Sequence, residues 1–100
     1  MSDTFTQALS NAIDDFAKER DWEQFHSPKN LSMALMVEAA ELVEHFQWLT
    51  AHQSGELSSE RLDAVAEELA DVLIYTLRLA SRLGVDIEQA AWAKLEKNRR

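Results

Sequence analysis

Two pairs of carboxylates, Glu38/Glu41 and Glu68/Asp71, are the residues best placed to do chemistry in this sequence. Each pair is spaced i,i+3, which puts both side chains on one face of a helix. Each also stands beside an apolar arc: Leu31, Leu35, Leu42, Phe46 and Leu49 for the first, Leu62, Val65, Val72, Leu79 and Leu83 for the second. The two segments match at a constant offset of thirty residues, Ala34 with Ala64, Glu38 with Glu68 and Glu41 with Asp71. If they pack antiparallel, four carboxylates converge. Acids drawn toward a core must be neutralised, paired or bound to a cation. Mg²⁺ takes oxygen ligands octahedrally and completes its shell with water and substrate phosphates. Two helices with inward-facing acids therefore describe a half-open Mg²⁺ site with Glu38, Glu41, Glu68 and Asp71 as ligands. A single acidic pair would more simply be a solvated helix face, and Glu44 and Glu67, which lie off the stripe, are assigned to solvent.

Other chemistries lack their residues. Di-iron bundles need Glu-x-x-His on two helices, but His45 follows Glu41 by four positions and the later segment has no His. There is no Asp-rich calcium loop, Gly-rich phosphate loop or Gly-x-Ser-x-Gly turn. Without Cys there is no thiolate ligand or nucleophile and no disulfide framework.

The elements that must hold the acids are helices. One hundred residues make one domain, 1–100, and two Gly with one Pro leave few turns for an all-β fold. The first helix is expected from Thr4 to Arg20, with Thr4 and Gln7 spaced as a capping box. Asp21 to Ser27 is a connector, and Ser27-Pro28 pairs an N-cap with a first-turn proline. A second helix follows over Pro28 to His52, then a loop at Gln53-Ser54-Gly55-Glu56. A third runs from an N-cap at Ser58 to Leu83, closed by Gly84 in the left-handed C′ position. Asp86 and Gln89 open a fourth that continues to the C-terminus.

The second helix carries Met33, Met36, Val37, Val43 and Trp48 outside its main apolar arc. A helix apolar nearly all round is buried on most faces, and three other short helices cannot cover it. A second subunit can, so a homo-oligomer is expected. The formal net charge of −8 argues against a nucleic-acid polymer as partner, because no basic stripe is available to displace counterions. No apolar run reaches the roughly 20 residues of a membrane span. Met1-Ser2-Asp3-Thr4 has neither the basic nor the apolar region of an export signal, so a cytoplasmic protein is expected.

The acidic pattern and its surroundings resemble the MazG-like group of all-α nucleoside triphosphate pyrophosphohydrolases, and within it the dCTP pyrophosphatase branch. The resemblance is carried by Arg20 through Leu31 (RDWEQFHSPKNL), Glu41 through Trp48 (ELVEHFQW), Glu67 through Tyr75 (EELADVLIY) and Lys94 through Arg100 (KLEKNRR). It implies a four-helix MazG-like bundle completed by homo-oligomerisation, with a tetramer built as a pair of dimers. It implies Mg²⁺-dependent hydrolysis of a dNTP, favouring dCTP or a modified dCTP, to the monophosphate and pyrophosphate, a housecleaning of the nucleotide pool. Glu38, Glu41, Glu68 and Asp71 match the metal-holding acids. Trp22 and Trp48 match aromatics flanking the base, Tyr75 a pocket tyrosine, and Lys94 and Asn98 contacts to phosphate and sugar. His26 and Asn30 fall in the matching stretch before the first acidic helix. Arg78 and Arg82 extend the Asp71/Tyr75 stripe and are assigned to solvent or to a subunit contact. Two departures stand out: Val37 and Ala40 occupy positions where Gly often precedes each Glu. The alternatives are a dUTPase-like activity on the same fold, or a non-catalytic helical interaction module whose acids are neutralised by Arg78, Arg82 or Lys94 across an interface.

Overall fold

A computed structural model describes residues 4–100, and its regular structure is helical: α1 (Phe5–Glu19), a 3₁₀ turn (Glu23–Phe25), α2 (Pro28–Glu44), α3 (Ala51–Ser54), α4 (Ser59–Leu83) and α5 (Ile87–Asn98). The Met1–Asp3 segment, and with it most of the N-terminal stretch expected not to be an export signal, lies outside the described residues. Every α-helix starts from a side-chain cap. Thr4, Ser27, Thr50, Ser58 and Asp86 accept the backbone N–H of Gln7, Asn30, Gln53, Arg61 and Gln89. Each such cap is typically worth about 1 kcal/mol.

Two helices end in the same left-handed device. At the end of α4, Val85 N–H reaches the Ala80 carbonyl and Gly84 N–H reaches Ser81, with Gly84 at φ 69°. At the end of α1, Trp22 N–H reaches Ala17 and Asp21 N–H reaches Lys18, with Asp21 at φ 55°. This is the Schellman pairing, normally served by Gly. The Asp21 turn places Trp22 edge-on to Phe16, with ring centroids 5.3 Å apart.

The expected second helix is shorter than its apolar pattern. α2 stops at Glu44, and residues 45–49 form turns before Thr50 caps a new helix. Thr50 and Gln53 make a complete capping box, each side chain bonding the other's backbone N–H. That box restarts the chain in a new direction, so Gln53 and Ser54 are helical where a loop was expected.

α2 and α4 run antiparallel. Arg82 Nε donates to the His26 carbonyl at one end (3.1 Å), and Arg61 Nη1 to the His45 carbonyl at the other (3.0 Å). α1 lies against the second half of α4, also antiparallel: Ala17 and Phe16 stand near Asp71 and Tyr75, and Gln7 and Ser10 near Ala80 and Ser81. The buried apolar residues among those described are Ala17, Leu31, Val65, Leu77 and Ala80, with Leu31 and Leu77 fully enclosed. Leu31 is buried and Leu35, Leu42, Phe46 and Leu49 are half-buried, so the apolar arc of α2 faces inward as expected.

The rest of α2 is uncovered. Met33, Met36, Val37 and Val43 are more than half exposed, and Trp48 is 87% exposed. The chain presents 7730 Å² of surface, against about 5,800 Å² for a compact monomer of 11.4 kDa. Its radius of gyration is 15.9 Å, where about 13 Å is usual for 100 residues. No helix among the described residues is long and apolar enough to cross a membrane.

A Cβ at Gly84 would meet no atom within 4 Å, so only the left-handed backbone opposes a side chain there. Gly84→Ala is expected to destabilise the fold by about 1 kcal/mol, measured by urea denaturation at fixed protein concentration. An unchanged midpoint would remove the role assigned to this turn.

Candidate metal centre and adjoining cavity

Antiparallel packing delivers the acids to one place. Glu38 and Glu41 from α2 and Glu68 from α4 bring one carboxylate oxygen each within 4.8 Å of one another. Oε2 of Glu38 and Oε2 of Glu68 are buried and have no hydrogen-bond partner. Partnerless buried carboxylate oxygens are costly, and hard oxygen donors at this separation suit a divalent cation. The donor set therefore fits the cation that the sequence pattern implies.

Asp71 lies outside this trio but within its electrostatic reach. Burial raises the Glu38 pKa to about 7, helped by the adjacent Glu41 carboxyl and by the Asp71 charge. Burial also raises Glu68, again with Glu41 and Asp71 contributing. Tyr75, one turn after Asp71, is held above the ordinary phenol value by burial and by the charges of Glu38 and Asp71. Its hydroxyl thus stays protonated and able to donate at neutral pH.

Asp71 and Tyr75 also line a cavity of about 430 Å³ between α1, the connector and α4. Ala12, Ile13, Phe16, Ala17 and Ile74 make most of its wall apolar, and Trp22, His26 and Arg78 complete it. Mostly apolar and partly aromatic, with a few polar side chains in its wall, it has the character of a small-molecule site. The acidic cluster and the cavity meet at Asp71.

The expected site residues divide into four groups. Glu38, Glu41 and Glu68 form the cluster, with Asp71 beside it. Trp22, His26 and Tyr75 line the cavity. Asn30 serves the local backbone: its N–H bonds Ser27 Oγ, and its Nδ2 donates to the Phe25 carbonyl. Trp48, Lys94 and Asn98 are exposed, and none of them lines this cavity within one chain.

Arg78 corrects the sequence expectation. It is 4% exposed, not solvated. Nη1 donates to Asp14 Oδ1 at 2.8 Å, and Nε to His26 Nδ1 at 3.1 Å. Ser81 Oγ donates to the other Asp14 oxygen at 2.6 Å. The stripe Glu68, Asp71, Tyr75, Arg78 put Arg78 on the site face of α4. Only the approach of α1, with Asp14, shows that it is buried there.

An unfolded glutamate titrates near 4.5, so between that value and about 7 the folded protein holds more protons than the unfolded chain. Stability then falls as pH rises through this window. The metal-free protein is expected to melt at a lower temperature near pH 8 than at about pH 5.5, and added Mg²⁺ to restore more at the higher pH. Scanning calorimetry with and without chelator checks this. A melting temperature indifferent to both pH and Mg²⁺ would contradict the cluster as a cation site.

The chain is similar to known proteins. The chain is 49% identical over 88 residues to dCTP pyrophosphatase 1 of Bos taurus, covering 86% of this chain and 52% of that protein. It is 50% identical over 88 residues to dCTP pyrophosphatase 1 of Homo sapiens, with the same coverage of 86% and 52%. The chain thus spans about half the length of the curated relatives it matches. A crystal structure of a pyrophosphatase from Archaeoglobus fulgidus superposes with a TM-score of 0.91 at 36% identity, covering 100% of this chain and 94% of that one. The MazG-like family model matches residues 33–100, which hold the four acids, Tyr75 and the C-terminal helix. With the all-helical fold and the converging acids, these likenesses establish that the chain belongs to the MazG-like family.

Proposed function

We propose that this chain is a Mg²⁺-dependent nucleoside triphosphate pyrophosphohydrolase, with dCTP or a modified dCTP as favoured substrate. The observation that carries this is the junction at Asp71. A cluster of partnerless carboxylates, suited to a cation and phosphates, abuts an apolar aromatic cavity suited to a base and sugar. The likeness, at about half identity, to proteins named dCTP pyrophosphatase 1 supports cytosine as the base.

Glu38, Glu41, Glu68 and Asp71 would hold Mg²⁺, which when bound neutralises phosphate charge and makes water more acidic. The chain's own residues supply the rest. Trp22 and Tyr75 shape the cavity for a flat ring, and the apolar wall excludes water from the nucleoside. The protonated Tyr75 hydroxyl would be available to donate to the substrate. A carboxylate of the cluster would take the proton from the attacking water. Attack at the α-phosphorus breaks the α–β anhydride and yields dNMP and pyrophosphate.

The uncovered α2 face supports a homo-oligomer, a tetramer made as a pair of dimers. Trp48, Lys94 and Asn98, remote from the cavity in one chain, would then approach the site of a neighbouring subunit. A cytoplasmic enzyme that cleans the nucleotide pool is the setting in which this activity makes sense.

Incubation with each dNTP and Mg²⁺ is expected to release pyrophosphate and monophosphate, with dCTP used best. Glu41→Gln and Glu68→Gln should each lower kcat/KM by about 100-fold or more, since each removes a charged ligand. Turnover surviving both changes would sink the metal assignment, and orthophosphate in place of pyrophosphate would name a different bond. Light scattering should give about four times the chain mass, and a monomer would overturn the assembly.

A further inference from the structure

Arg78 is a buried charge that the metal chemistry leaves unused. A guanidinium has five N–H donors and no acceptor, at any accessible pH. Here Asp14 takes Nη1 and His26 takes Nε, while the buried Nη2 has no partner. Arg78 and His26 both line the cavity wall.

The bond from Nε to Nδ1 has a definite chemical consequence. Because Arg78 can only donate, Nδ1 of His26 must carry no proton. The ring is therefore neutral, and its single N–H sits on Nε2. Burial, then the charges of Arg78 and Arg82, lower the imidazolium pKa, which acts in the same direction. No group of the described chain accepts from Nε2, and the ring lies tilted against Trp22 with centroids 5.8 Å apart. His26 thus adds a donor of fixed tautomer to a wall that also holds Trp22, Tyr75 and Arg78, and behind it stands a cation whose Nη2 lacks a partner.

We propose that Arg78 is a specificity-determining residue, which fixes His26 as an Nε2–H donor and so selects a base with an unprotonated ring nitrogen toward the wall, as N3 of cytosine is. This rests on the cavity holding the base of a dNTP. Uracil and thymine carry a hydrogen on N3 and would set donor against donor. Sites built around a particular hydrogen bond reject partners that cannot make it far better than sites built on shape. Without Arg78 the imidazole is free to move its proton to Nδ1, and Nε2 then accepts from the N3–H of uracil.

Three measurements on the full chain test this. Long-range ¹H–¹⁵N NMR should show His26 as the neutral Nε2–H tautomer. The unaltered protein should prefer dCTP to dUTP by about tenfold or more in kcat/KM, and should use 3-deaza-dCTP, which lacks the N3 acceptor, no better than dUTP. Arg78→Met should raise KM for dCTP and lower it for dUTP. A merely structural role would raise both. Equal use of 3-deaza-dCTP and dCTP, or an Nδ1–H tautomer, would overturn the proposal using the unaltered chain, even if Arg78→Met fails to fold. Pyrophosphate release from dNTPs with an unchanged dCTP:dUTP ratio in Arg78→Met would overturn this inference alone. No pyrophosphate from any dNTP would remove the underlying function and this inference with it.

Discussion

Glu38 and Glu68 each bury a carboxylate oxygen that no described residue satisfies, and they do so on facing helices. Like charges repel and isolated buried charges are costly, so α2 and α4 would not choose this contact for its own sake. The apolar residues around the acids impose it. Leu31 on α2 and Val65 and Leu77 on α4 are buried, and the helical repeat brings the acids with them. The unfavourable electrostatics shows in the raised proton affinity of Glu38 and Glu68. Stability gained in the core thus holds a cation site that the acids alone would open.

α4 organises both halves of the site because one stripe of it carries Glu68, Asp71, Tyr75 and Arg78. These follow each other at three, four and three residues, which keeps them on a single helical face. Along about 15 Å of helix the chemistry passes from acid to phenol to cation. The acidic end faces α2 and the cationic end faces α1, so the two packing partners of α4 set two different environments. α1 contributes Asp14 for Arg78 and the apolar wall of Ala12, Ile13, Phe16 and Ala17. The left-handed turn at Asp21 then returns the chain so that Trp22 and His26 close the cavity.

The same economy leaves the chain incomplete. Surface and radius both exceed those of a compact domain of this length, and large apolar side chains on α2 and α5 are among those left exposed. α5 buries no residue fully and leaves Trp92 66% exposed. Bare apolar area on this scale is unusual for a soluble monomer. The face bearing Met33, Met36, Val37 and Val43 is continuous along α2, opposite the arc that packs on α4.

By itself the sequence determined four of the helices, the caps at Thr4, Ser27, Ser58 and Asp86, the inward arcs of α2 and α4 and the shared faces of the four acids, because these follow from spacing along a helix of known pitch. The Gly84 turn and the Ser27-Pro28 start were equally local and equally legible. Tertiary structure decided the rest. The break after Glu44 depends on turns and a Thr50–Gln53 box that periodicity does not register, since the apolar pattern runs on through Trp48. Arg78 lay on the visible stripe, yet its burial needed Asp14, sixty-four residues away in the chain. The tautomer of His26 follows from a second long-range contact, the bond from Arg78 Nε to its Nδ1. Spacing along a helix tells which side chains share a face, but only the arrival of another helix tells which of them lose water.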